Sequence, residues 1–230
     1  SDVVCPWCFV GKRQLTQAME LLKDEYHFEI TYLPFELSPG ISAEGVNFKQ
    51  YITEKFGDFE QFIARTSMLN ERGAALGINF QIPKIEVSPN TFPIHLVIQY
   101  AHQFGLQSVV TEAFFKAYFE ELIDLSKTEN ILAIAKAAGL DEELLSAALK
   151  SEDLASQTKD LQDKVLALGI TGVPFYIIDN QYGLSGAVPA ITTPQYKFFA
   201  SSDCDNDGIS NAMECFGGGP TCQDFDFDGI

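Results

Sequence analysis

Phe9, Leu15, Ala18, Met19 and Leu22 recur at helical spacing with Lys12, Arg13, Gln17, Glu20 and Lys23 between them, which predicts an opening helix. The period then shortens. Phe28, Ile30 and Tyr32 alternate with Glu29 and Thr31 over residues 27–33, as in a half-buried strand, and Pro34 with Ser38-Pro39-Gly40 closes it. Over 48–77 the pattern predicts two helices, the second spanning 59–76 with Gly77 as its C-terminal cap. A short apolar segment and a loop holding Pro83 and Pro89 follow. Asn90 or Thr91 can cap the next helix, which carries Leu96, Tyr100 and Phe104 towards Gly105. Further helices are expected over 109–121, 130–138, 142–150 and 153–168, and Ser126-Lys127-Thr128-Glu129 offers a capping box ahead of 130–138. Gly169-Ile170-Thr171-Gly172 interrupts this series. Residues 173–178 then read as a buried strand, Asp179-Asn180 as a turn and 182–185 as a returning strand.

Helix, strand, a block of helices and a final hairpin need a single sheet to collect the two halves. The order describes an α/β chain with a thioredoxin-like fold and an inserted helical domain, the insertion covering about residues 47–168. No sequence repeat occurs before residue 200. Pro189 and Pro194, with no helical period around them, mark 190–202 as a linker between a domain at 1–189 and a tail at 203–230.

Composition adds bounds to this picture. At 230 residues and 46% hydrophobic content the chain can bury a proper core. No apolar stretch approaches the roughly 20 residues of a membrane-spanning helix. The formal net charge of −17 argues against nucleic acid and anionic membranes as partners, because both attract clustered Lys and Arg. Of that charge, −7 belongs to residues 201–230, which hold six Asp and one Glu and no Lys or Arg.

The chemistry starts with Cys5-Pro6-Trp7-Cys8 at the head of the first helix. Two thiols so spaced can close a small disulfide ring, and the first of them faces the unpaired N–H groups and positive dipole end of the helix, which favour a thiolate. Pro6 suits the first turn, where its missing N–H costs nothing. Half of a zinc site is the rival reading, but it needs a second ligand pair. His95 and His102 stand seven apart on a predicted helix, and Cys215 and Cys222 enclose a Gly-rich loop, so neither pair fits well. Gly172-Val173-Pro174 is the second signal. A proline opening a strand is permitted there and can be cis in a tight turn, and beside a dithiol the Val173 backbone could pair with an extended substrate peptide. Glu36, at the end of the first predicted strand, is a candidate proton acceptor or an ordinary edge carboxylate. Trp7, next to Pro6, either presents an apolar surface to client peptides or simply packs.

Ser1-Asp2-Val3-Val4-Cys5-Pro6-Trp7-Cys8 with Val10-Gly11-Lys12-Arg13, then Asn90-Thr91-Phe92 and His95, then Gly172-Val173-Pro174-Phe175 and Leu184-Ser185-Gly186-Ala187, resembles the DsbA family, specifically its FrnE-like branch, over about residues 1–189. The resemblance implies Cys5 as the attacking thiol, Cys8 as the resolving thiol and Pro174 as the cis-proline. Its members usually begin with a strand before the Ser-Asp pair; that strand is absent here, which predicts a truncated start and an unfilled sheet position. Related hydroxychromene-carboxylate isomerases and kappa-class glutathione transferases typically carry Ser at the Cys5 position. Retention of both thiols favours thiol-disulfide exchange with protein, peptide or small-molecule thiols, with no cofactor for the redox step and glutathione as a possible co-substrate. A glutathione-dependent isomerase or transferase is the alternative, with Asn90 and His95 as ligand contacts, although His95 also reads as a structural histidine.

The tail carries its own signal. Asp203, Asp205, Asp207, Gly208 and Glu214 fit a calcium loop in which Ile209 supplies a backbone carbonyl, and Asp224, Asp226, Asp228 and Gly229 start a second one that the chain does not complete. Tandem acidic loops with Cys204, Cys215 and Cys222 resemble thrombospondin type 3 calcium repeats more than EF-hands; a solvated acidic linker is the rival reading. A calcium-binding surface module with a vestigial redox domain is thus a third functional class. The two halves imply different addresses: cytoplasmic for the FrnE-like part, cell envelope or extracellular for a genuine cysteine-bearing calcium tail. Either the chain is a fusion or its end comes from a faulty gene model.

Overall fold

A computed structural model describes residues 1–190. Helix α1 (Pro6–Leu22) begins on Cys5, whose extended backbone (φ −90°, ψ 110°) turns the chain into the helix and whose carbonyl accepts N–H groups from Cys8 and Phe9 at 3.0 and 3.3 Å. The first two turns are buried almost all round: Cys8, Phe9, Val10, Gly11, Lys12 and Gln14 face protein. Later in the helix only the predicted stripe of Leu15, Ala18, Met19 and Leu22 stays half-buried.

After α1 come β1 (Val46–Asn47), α2 (Phe48–Phe56), α3 (Phe59–Arg65), α4 (Ser67–Ala75), a 3₁₀ turn (Ile82–Lys84) and β2 (Val87–Ser88). Four longer helical stretches and a short one then run α5 (Phe92–His102), α6 (Gln107–Phe119), α7 (Thr128–Ala137), α8 (Glu142–Ala148) and α9 (Glu152–Ala167), and the described chain closes on β3 (Phe175–Ile178) and β4 (Tyr182–Ser185). Caps set several boundaries. Asn47, Asp58, Asp141 and Ser151 accept backbone N–H groups at the starts of α2, α3, α8 and α9, each cap stabilising its helix by about 1 kcal/mol.

Phe9 is the centre of the core. Fully buried, it stacks on Phe115 with ring centroids 5.0 Å apart and meets Phe80 edge-on at 5.9 Å. Cys5, Cys8, Phe48, Phe80, Val97, Phe114 and Leu145 belong to the same continuous cluster, so the block of helices shares one core with α1. Burying a large apolar side chain this completely contributes about 1.5–3 kcal/mol. A smaller cluster of Phe35, Val165 and Ile170 joins the end of α9 to Val173 and Phe175.

The hairpin forms at the expected residues, β3 and β4 pairing antiparallel with Phe175 opposite Ser185 and Ile178 opposite Tyr182, but β3 is not the buried strand predicted: Phe175 and Tyr176 are half-buried, and Ile177 and Ile178 are exposed. At its tip Asp179 and Asn180 both take positive φ (52° and 54°), the backbone of a turn whose twist matches the strands. Three further expectations are corrected. The predicted helix 59–76 breaks at Thr66, whose hydroxyl donates to the Ile63 carbonyl at 2.7 Å and competes with the helical ladder. The capping box at Ser126 does not form, because the Ser126 hydroxyl and N–H both turn to Asp124 Oδ1, at 2.6 and 2.9 Å.

The third correction concerns the sheet. Residues 27–33 form no ladder, and among the described residues the strands make two separate pairs, β1 with β2 and β3 with β4. Amide side chains of α5 and α6 replace the missing neighbour strand. Gln107 Oε1 accepts the Tyr32 N–H at 3.0 Å, and Gln99 Nε2 donates to the Tyr32 carbonyl at 2.7 Å. The alternation holds in part: Ile30 and Tyr32 are half-buried while Glu29 and Thr31 are exposed, but Phe28, expected on the same face, is exposed.

Candidate active site

Cys5 and Cys8 are both free thiols and both buried, at 5% and 2% exposure. Hydrogen bonding between the two thiols moves their titration in opposite directions. That bond to Cys8, together with burial, pushes the Cys5 thiol well above its ordinary value. Cys8 moves the other way: burial raises it, but the bond from Cys5, the Ser1 ammonium charge, and hydrogen bonds from the Asp2 backbone and Ser1 side chain outweigh that and hold it below its ordinary value. Of the two thiols Cys8 is therefore the easier to ionise, one turn deeper than the spacing predicts.

Opposite the dithiol, the Val173–Pro174 peptide bond is cis. The Cys5 thiol points at the Val173 carbonyl, Sγ to O 3.5 Å, and the Pro174 carbonyl takes the Gly186 N–H at 2.8 Å, tying this turn to the strand end of the hairpin. Gly11 makes the approach possible. A Cβ there would run into the Tyr176 hydroxyl and lie 3.2 Å from Pro174 Cγ, so no larger residue lets α1 rest against the turn.

Asp2 is the residue that sequence reasoning passed over as a functional group. Its side chain is fully buried beside the motif: Oδ2 accepts the Leu37 N–H at 2.8 Å, and Oδ1 accepts no hydrogen bond and lies 3.6 Å from His95 Nε2. The Asp2 carbonyl also takes the Cys5 N–H at 3.1 Å. His95 Nε2 in turn lies 3.1 Å from the Phe35 carbonyl. A buried carboxylate thus ties the dithiol loop to residues 35–37 and α5. An Asp three places before Cys5 among apolar neighbours was the one visible signal.

His95 is 2% exposed, and Asn90 spends its amide on the Ile41 carbonyl (2.7 Å) and the Phe92 N–H (2.9 Å). Both are internal fasteners here rather than groups turned towards a ligand. Glu36 is half-buried, and the buried carboxylate next to the thiols is Asp2 instead. Pro6 and Trp7 are half-buried at the mouth, and the Arg72 guanidinium sits over the Trp7 ring, 5.3 Å from its centroid. On the far side of α1, Glu112 of α6 receives Lys12 at 2.9 Å and Arg13 at 2.5 Å on opposite oxygens.

Among the described residues no group of three or more His, Cys, Asp or Glu is placed to hold a metal, and no helix is long and apolar enough to cross a membrane. The calcium-loop residues Asp203, Asp205, Asp207, Ile209, Glu214, Asp224, Asp226 and Asp228, with Cys204, Cys215 and Cys222, lie outside the described residues.

A dithiol at a helix N-terminus facing a cis-proline turn, in a helix-rich α/β frame, defines a thioredoxin-like thiol redox fold. Residues 1–195 match the model of the DSBA-like thioredoxin domain, and the chain belongs to that family. A probable DsbA oxidoreductase from Streptomyces coelicolor has a similar structure, with 30% identity, a TM-score of 0.76, and coverage of 83% of this chain and 82% of that one. The cytosolic disulfide reductase DsbM from Pseudomonas aeruginosa, solved with GSH, has a TM-score of 0.52 at 16% identity, covering 78% and 84% of the two chains. In sequence, the protein YwbO of Bacillus subtilis (strain 168) is 26% identical over 181 residues, which make up 78% of this chain and 84% of that protein.

Proposed function

We propose that the protein is a thiol-disulfide oxidoreductase that exchanges disulfides through Cys5 and Cys8 by way of a mixed disulfide. The observation that carries this reading is the pair of free, hydrogen-bonded thiols at the start of α1, with the Cys5 sulfur against the Val173 carbonyl. In the reducing direction, the proton on Cys5 passes across the shared hydrogen bond to the Cys8 sulfur, and the Cys5 thiolate attacks a substrate disulfide. One substrate sulfur leaves as a thiolate while the other remains bonded to Cys5. Cys8 then attacks Cys5 Sγ, loses its proton to the departing sulfur and closes the internal disulfide, so two electrons and one proton pass from protein to substrate, and the thiolate released first takes its proton from solvent. The oxidising direction is the reverse. Pro174 and Val173 would flank the substrate chain, and Trp7 and Pro6 would border the opening.

Glutathione is a fitting partner for the same site, since the Pseudomonas reductase with the shared fold was solved with it. The isomerase alternative has less support, because it leaves the second thiol without a use. The loop at 203–214 is proposed to bind calcium on its ligand spacing; an unchanged calcium titration in a variant carrying Asp203→Ala and Asp207→Ala removes that assignment.

The decisive experiment is trapping. Incubated with insulin or a disulfide peptide, the Cys8→Ser protein accumulates a mixed disulfide that peptide mass mapping locates on Cys5, and Cys5→Ser abolishes turnover. Exchange that persists in Cys5→Ser defeats the proposal.

A further inference from the structure

Arg72 stands beside the dithiol motif, against Trp7, and no other described residue claims its charge. Its guanidinium lies 5.3 Å over the ring of Trp7, between the two cysteines in sequence, yet among the described residues it forms no ion pair. Stacking engages only the face of the guanidinium. Among the described residues nothing bonds the N–H fork along its edge, and that edge is the part matched to a carboxylate in two parallel hydrogen bonds. Trp7 is itself half-buried against the core, so the ring is a fixed platform, and α4 is packed on α1. Met68, one turn before Arg72 on α4 and 55% exposed, adds an apolar border on the same helix face. The placement is the more telling because the chain carries a net charge of −17, which by itself repels anionic substrates.

Resting on the thiol-exchange reading above, we propose that Arg72 is a specificity-determining residue: it selects small disulfides that carry carboxylates near the exchanging sulfur, of which glutathione disulfide is the representative. The carboxylate pairs with the edge of Arg72 while the disulfide lies between Trp7 and the Val173 turn. In the reaction, reduced protein gives two electrons to glutathione disulfide, Cys5 and Cys8 become joined, and two glutathione thiols leave.

The test uses the full 230-residue chain, reduced, and two oxidants: glutathione disulfide, in which carboxylates outnumber ammonium groups, and the uncharged 2-hydroxyethyl disulfide. Reaction is quenched with a maleimide, and the state of Cys5 and Cys8 is read by peptide mass. The quantity compared is the ratio of the two second-order rate constants. Arg72→Glu is expected to lower that ratio about 5- to 10-fold, as reversing one exposed charge pair does. Arg72→Lys keeps most of it, and in the native protein added salt lowers it because exposed pairs are screened. A ratio unchanged in Arg72→Glu overturns the proposal, and so does equal slowing with both oxidants, which marks a structural effect. If neither disulfide oxidises the native protein, the redox reading itself fails and the specificity with it.

Discussion

The Cys5 sulfur lies 3.5 Å from the carbonyl oxygen of Val173, while the hydrogen bond to its partner in the motif runs the other way, to Cys8. The outer thiol is the harder of the two to ionise and the inner one the easier.

This arrangement has a pH signature in stability. Cys8 is lowered in the fold, so below the ordinary thiol value near 9 the unfolded chain binds more protons at this position, and stability rises with pH through that window. Cys5 is raised, so above about 9 the unfolded chain ionises where the folded one does not, and stability falls. Denaturant unfolding of the reduced protein, minus that of a variant carrying Cys5→Ser and Cys8→Ser, is expected to peak near pH 9. A flat difference profile contradicts the opposed shifts of the two thiols.

Asp2 fastens the dithiol loop to residues 35–37. Asp2→Ala orphans the buried Leu37 N–H and is expected to cost about 1–3 kcal/mol in urea unfolding. Asp2→Asn retains an acceptor for that N–H and should cost less. Equal losses in the two variants would mean that the charge, and not the bond to Leu37, matters.

Gly11→Ala should destabilise the protein even though alanine is the better helix former by about 1 kcal/mol. The added methyl meets the Tyr176 hydroxyl and Pro174, and overpacking of this kind costs about 1–3 kcal/mol. Adding Tyr176→Phe removes the nearest atom, so the double variant should recover part of the loss, a non-additivity that thermal unfolding detects.

Glu112 holds two cations from successive residues of α1. Glu112→Gln leaves Lys12, only 9% exposed, with its charge uncompensated, and is expected to cost about 2 kcal/mol, well above the 0–1 kcal/mol of an exposed pair. The exposed Lys159–Asp163 pair is the control, and Asp163→Asn there should shift Tm little.

Much of this frame is legible in the chain because local signals agree. Gly105 and Gly77 mark real helix ends, and both take positive φ; Asp179-Asn180 between two short apolar runs gives the hairpin at the right residues. What could not be read depends on partners distant in sequence. Residues 27–33 alternate as a strand should, but whether a ladder forms depends on a neighbour, and the backbone of Tyr32 is taken by Gln99 and Gln107 instead. Gly11 looks like an unremarkable glycine in a helix until Tyr176, 165 residues later, is set against it. The cysteines and Pro174 were legible as chemistry; the opposed shifts of the two thiols, and Asp2 beside them, required three dimensions.

The amide clamps on Tyr32 also settle how the molecule must come apart. An extended segment whose backbone is satisfied by side chains of α5 and α6 has no stability of its own to fall back on, and those helices share Phe9's core with the head of α1. Melting the helical block would release Tyr32 and the footing of the dithiol together. Helices α2 to α9 are thus not a detachable cover over a self-sufficient α1 and hairpin, and a shortened protein lacking them would lose the geometry of Cys5 and Cys8 along with the helices.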